Sequence, residues 1–162
     1  MLASGLVLGI ASGIALGGDW RRLGDLPLRW VPVLLAALAI RVLGLVIPFA
    51  LAIYVAALVG TAVAAILNRH LPGVTLIAFG SLLNIGVIAL NAGMPVDLGA
   101  VAAANAISYD SDRLHVPLGQ ETRLPLLADV IPLGLVRGVY SVGDVAIAVG
   151  GFWLPFSWLR GR

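Results

Sequence analysis

No cysteine occurs among the 162 residues, which excludes disulfides, thiolate metal sites and cysteine nucleophiles in any redox compartment. Lysine is absent too: all ten basic residues are arginine, a bias we read as genomic base composition because no physical need stands behind it. Charge of either sign is scarce. Only 11% of the residues are charged against 60% hydrophobic, and the mean hydropathy is +1.06, far from the roughly 45–50% apolar share of soluble domains. The arginines are spread along the chain, so a pI near 9.7 does not imply a nucleic-acid partner. The lipid bilayer is the expected partner, and the chain reads as a single all-α integral membrane domain.

Apolar length is what the chain has in abundance. A spanning helix needs about 17–25 apolar residues, and five segments qualify: 2–18, 31–47, 49–67, 72–91 and 140–159. The first lacks the basic residues that would precede the apolar core of a secretory signal. The second and third come from one apolar block, broken at Ile47–Pro48 because proline disfavours helix in the residue before it. Arginines orient the bundle, since cytoplasmic loops are enriched in them. Arg21, Arg22 and Arg29, then Arg69, then Arg160 and Arg162 fall on one side of a five-span chain. The expected topology is multi-pass in a bacterial inner membrane, N-terminus outside and C-terminus cytoplasmic, with the long loop 92–138 outside. Within that loop DLGAVAAANAIS reads as a short helix capped by Asp97. The apolar piece LPLLADVIPLGLV is too short to span, and either lies on the membrane surface or enters it as a re-entrant hairpin.

Few polar residues fall within these apolar segments, and each asks for a reason. Gly5, Gly9, Gly13 and Gly17 form an i, i+4 ladder that lets two backbones approach closely in lipid, either within the chain or in a homo-oligomer. Arg41 sits inside the second span, where an arginine costs about 2.5–3.5 kcal/mol on insertion scales. Its depth matches that of Asp144, so the two are candidates for an ion pair. Gly80, Asn84 and Asn91 share one face of the fourth span. Ser141 and Asp144 in SVGD have the capping-box spacing. Asp129 is flanked by apolar residues on both sides, and if its segment folds over the bundle mouth it converges with Asp144. Two close carboxylates in a low-dielectric site share one proton, which equips them to activate water and protonate a leaving group. Asp144 is thus a cap, a counter-ion or a catalyst, and these alternatives stay open on sequence alone. His70 and His115 are expected on opposite sides of the membrane, so no two-histidine metal site is expected. The Asp110 and Asp112 pair lacks the remaining ligands of a calcium loop. No cofactor is expected.

The run NRHLPGVTLIAFGSLLNIGVIALNAGMPV, then ETRLPLLADVIPL, then VYSVGDVAIAVG, resembles a family of small bacterial multi-pass membrane proteins known only as a domain of unknown function. That resemblance brings no activity. The C-terminal third is also similar to lipoprotein signal peptidase, a membrane aspartyl protease that cleaves prolipoprotein signal peptides. It implies Asp129 and Asp144 as catalytic residues and a lipid-linked or membrane peptide as substrate. Gly80 and Asn84 fall where that family has a glycine-asparagine motif. Departures are visible: Ser141 stands for a motif Asn, Gly143 for a motif Ala, and an Asp-Arg pair is absent. Asn84, Asn91, Arg41 and Ser141 are the expected supporting residues.

Overall fold

The computed structural model describes residues 1–43, 51–106 and 114–161. The chain is mostly helical, and helices occur inside each of the five apolar segments. They are α1 (Leu2–Ala15), α2 (Val31–Leu43), α3 (Leu51–Leu67), α4 (Val74–Asn91) and, after a short α5 (Leu98–Ala103), α6 (Val142–Leu159). Two of them, α4 and α6, are 18 residues long and apolar enough to cross a membrane. The helices α1 and α3 are apolar but shorter, and α2 is shorter still at 13 residues. Five full-length spans are therefore not shown.

The packing order follows from where glycine stands. Gly5, Gly9 and Gly13 of α1 are buried against α6, where added β-carbons would collide in turn with Ala148, Phe152 and Leu159. Partners rising together in number make α1 and α6 parallel neighbours, so the ladder packs within the chain. Gly17 does not belong to it. Its φ of +83° and the open space around it place it in the turn that ends α1, where Gly18 N donates to Gly13 O and Gly17 N to Ile14 O. Those two bonds are a Schellman cap, which requires the left-handed residue that glycine supplies.

On its other face α6 meets α4 through two reciprocal glycine contacts seven residues apart. A β-carbon on Gly73 or Gly150 would strike the other's carbonyl, and so would one on Gly80 or Gly143. Here the numbers run in opposite senses, so α4 and α6 are antiparallel. The layer continues from α4 to α3 and from α3 to α2, giving the order α1, α6, α4, α3, α2. The core lies between α3, α4 and α6, around Ala65, Val74, Ile77, Ala78 and Leu154. At the end of α3, buried Asn68 receives the Arg29 amide and donates to the Arg29 carbonyl, at 2.7 and 2.8 Å. Trp158 Nε1 donates to Arg22 O at 2.8 Å. These bonds tie the arginine-rich segment 19–30 to the ends of α3 and α6.

The opposite end corrects the all-α expectation. Among the described residues between α4 and α6 lie four three-residue strands: β1 (Met94–Val96), β2 (His115–Pro117), β3 (Ile131–Leu133) and β4 (Gly138–Tyr140). β1 pairs with β2 in parallel, Met94 opposite His115, and β3 pairs with β4 in antiparallel, Ile131 opposite Tyr140. An isolated bridge between Val96 and Asp129 joins the two pairs. The apolar LPLLADVIPLGLV segment is thus partly strand, flanked by single turns of 3-10 helix at Pro125–Leu127 and Gly134–Val136. Asp97 does cap α5, accepting from Gly99 N.

Candidate functional site

The residues singled out by sequence gather at the strand-capped end, where α4 finishes and α6 begins. Ser141 and Asp144 form a complete capping box: Ser141 Oγ accepts from Asp144 N at 3.0 Å, and Ser141 N donates to Asp144 Oδ2 at 3.4 Å. This satisfies amides that the first turn of a helix leaves orphaned. Asn84 reaches across from α4, its Nδ2 donating to Asp144 Oδ1 at 3.3 Å while its Oδ1 lies 3.0 Å from Ser141 Oγ. Ser141 has one proton to give, to Asn84 Oδ1 or to Asp144 Oδ2 at 3.2 Å. Asn84 and Ser141 are both buried. Gly143 makes the bridge sterically feasible, since a β-carbon there would fall on the Asn84 amide.

Asp129 is held differently. Its amide donates to Pro95 O at 2.8 Å and its carbonyl accepts from Asp97 N at 3.0 Å, so the main chain is clamped along β1. Only 4% of the residue is exposed. Oδ2 lies 3.2 Å from His115 Nε2, within hydrogen-bond reach. His115 is the residue that sequence reasoning missed as part of the site. It comes into reach because β2 and the Asp129 segment flank β1, and parallel pairing across an intervening helix leaves no local signature.

Tyr140 lies in the field of both carboxylates. Its phenol is pushed above the ordinary value of 10, first by burial, then by the negative charge of Asp144 and then by that of Asp129. The ring lies over Gly138, where a β-carbon would meet its hydroxyl oxygen at 2.6 Å. Both aspartates are therefore within electrostatic reach of one hydroxyl, although the contacts described for each go to different partners: Ser141 and Asn84 for Asp144, His115 for Asp129.

Asn91 serves elsewhere. It exchanges two bonds with the Arg123 main chain, at 3.0 and 2.9 Å, and so anchors the loop leading to Asp129. The side chain of Arg41, and with it the expected pair with Asp144, lies outside the described residues, as do Asp110 and Asp112. Among the described residues no three His, Asp or Glu side chains gather as a metal site would need.

An uncharacterised protein of Thermotoga maritima is 37% identical over 89 residues, which make up 52% of this chain and 51% of that protein. The match spans about half of that relative's length. No solved structure matches the chain. A family model described as a family of unknown function (DUF5317) matches residues 25–156, a stretch that contains α2 to α5, all four strands and most of α6. The chain belongs to that family.

Proposed function

We propose that the chain is a bacterial inner-membrane protein of five spans whose strand-capped end faces outward and carries an aspartyl hydrolase site made by Asp129 and Asp144. The observation that carries the reading is the placement of the almost fully buried Asp129 on the segment whose strand pairing, Ile131 opposite Tyr140, holds it beside the start of α6, where Asp144 stands. Burial and neighbouring carboxylates separate the proton affinities of such a pair, which suits one to accept a proton and the other to give one. In amide hydrolysis water adds to the carbonyl carbon as one carboxylate takes its proton. The C–N bond then breaks as the other member, a carboxylic acid at the start, protonates the leaving nitrogen; one water is consumed, and the pair is restored when the proton taken from water passes from the first carboxyl to the second. The resemblance to lipoprotein signal peptidase suggests a lipid-linked or membrane peptide as substrate.

The topology draws support from the packing. First and last helices run parallel, as odd-numbered spans must. Loop 19–30 is bonded to the ends of α3 and α6, so Arg21, Arg22, Arg29, Arg69 and Arg160 lie toward the end away from the aspartates, as the positive-inside rule asks.

A second reading is favoured by the capping box: both Asp144 oxygens are engaged by Ser141 and Asn84, which suits a lipid-binding or assembly module with no catalysis. Full-length protein in phospholipid vesicles, given a fluorogenic peptide with a diacylglyceryl cysteine, separates the two. The hydrolase reading expects cleavage by the wild type and none by Asp129→Asn or Asp144→Asn, with both variants accumulating in the membrane. Cleavage surviving either substitution, or no cleavage by the wild type, overturns it.

A further inference from the structure

We propose that His115 is the positioning residue of the acidic site: its imidazole holds Asp129 in one orientation as a carboxylate, making Asp129 the group that takes the proton from water. This rests on the hydrolase reading and assigns the roles within it.

Three observations converge. First, the geometry is built into the main chain. β1 lies between β2 and the Asp129 segment, with Met94 opposite His115 and Val96 bridged to Asp129. The two side chains are brought within 3.2 Å by strands whose registers leave them little freedom. Second, a carboxylate removed from water is costly unless donors compensate it. The Asp129 side chain is 5% exposed and that of His115 is 19% exposed, so the ring is the outer member and keeps contact with solvent while its Nε2 faces the carboxylate. A charge-assisted bond of this kind is stronger than a neutral one and fixes the direction of an oxygen lone pair.

Third, the pairing is selective. Asp144 takes its donors from the Ser141 amide and Asn84. Among the described contacts, the carboxylate that His115 meets is Asp129. An acid–base pair needs that asymmetry, because two identical carboxylates have no reason to divide the roles.

The test uses the same vesicles and lipopeptide. His115→Ala is expected to lower kcat about 100-fold with KM little changed, the loss typical of a misplaced catalytic group. His115→Gln puts an amide N–H where Nε2 stood and should recover most of that loss. His115→Asn, one methylene shorter, should not, so Gln against Asn decides the matter even where the Ala variant does not accumulate. A purely structural role would lower melting temperature in all three variants without separating Gln from Asn in kcat. Wild-type kcat in His115→Ala, or equal kcat in the Gln and Asn variants, overturns the inference while leaving an Asp129-dependent hydrolase standing. If the wild type cleaves nothing, both readings fall together.

Discussion

Replacing Gly143 with alanine tests the contact on which the whole strand-capped end depends. The new β-carbon would land on the Asn84 Oδ1 atom and 2.8 Å from the Gly80 carbonyl oxygen. Gly80 is backbone and cannot retreat without separating α4 from α6, so either the helices part or Asn84 swings away. Overpacking of this kind costs about 1–3 kcal/mol. Loss of the Asn84 bonds to Asp144 and Ser141 adds about 1 kcal/mol each, since the net worth of one such bond is near that value. Against these stands the helix propensity of alanine, better than glycine by about 0.8–1.0 kcal/mol. Gly86 of α4 is the control. A β-carbon there meets nothing within 4 Å, so Gly86→Ala should be neutral or stabilising by up to about 1 kcal/mol. The two alanine variants should differ by about 2–5 kcal/mol. Thermal unfolding in one detergent, followed by tryptophan fluorescence, measures the difference. A Gly143→Ala protein that melts with or above Gly86→Ala would refute the close glycine contact and the Asn84 bridge together.

Other substitutions probe separate parts of the molecule. Gly9→Leu should detach α1 from α6, because its β-carbon already collides with the Phe152 carbonyl; a cysteine cross-link between the helices that forms in the wild type should fail in the variant. Asn68→Ala removes both bonds to the Arg29 main chain. It should cost about 1–3 kcal/mol and expose loop 19–30 to trypsin, and unchanged proteolysis would count against the clamp. In a Tyr54→Phe, Tyr109→Phe background, where Tyr140 is the one phenol left, phenolate absorbance should rise at higher pH in the native protein than in the unfolded chain. The unfolded chain ionises near 10 and the native phenol later. Its contribution to stability is thus intact below about pH 10 and is lost as pH rises through the native value. Asp144→Asn should lower that native value more than Asp129→Asn, and neither should abolish the shift, because burial is its largest cause.

The helices were legible because lipid-compatible sequence is a matter of composition and length. Val31–Leu43, Leu51–Leu67, Val74–Asn91 and Val142–Leu159 all fall within apolar runs of the chain. Local caps were legible for a related reason: Asp97 and the Ser141–Asp144 box act over two or three residues, so spacing alone reveals them. The strands were not legible. Three-residue strands are too short to display alternation, and the segment holding β3 reads as an apolar piece broken by proline. Gly17 continued a ladder in sequence that the fold ends at Gly13, since helix termination depends on a left-handed turn and not on spacing.

By itself the sequence determined that this chain is built of apolar helices, that small residues would decide how they pack, and that Ser141 would start the last one. Those are properties of composition and of neighbours within a turn. Only the tertiary structure decided which helices the glycines join and that Asn84 bridges Ser141 and Asp144. It also set Asp129 beside His115, by pairing both of their segments with β1. These depend on registers between segments as far apart as those of Gly5 and Ala148, for which the order of residues carries no local sign. For Asp144 the fold establishes the cap through its bonds to Ser141 and adds the contact with Asn84, a residue that sequence places on another helix.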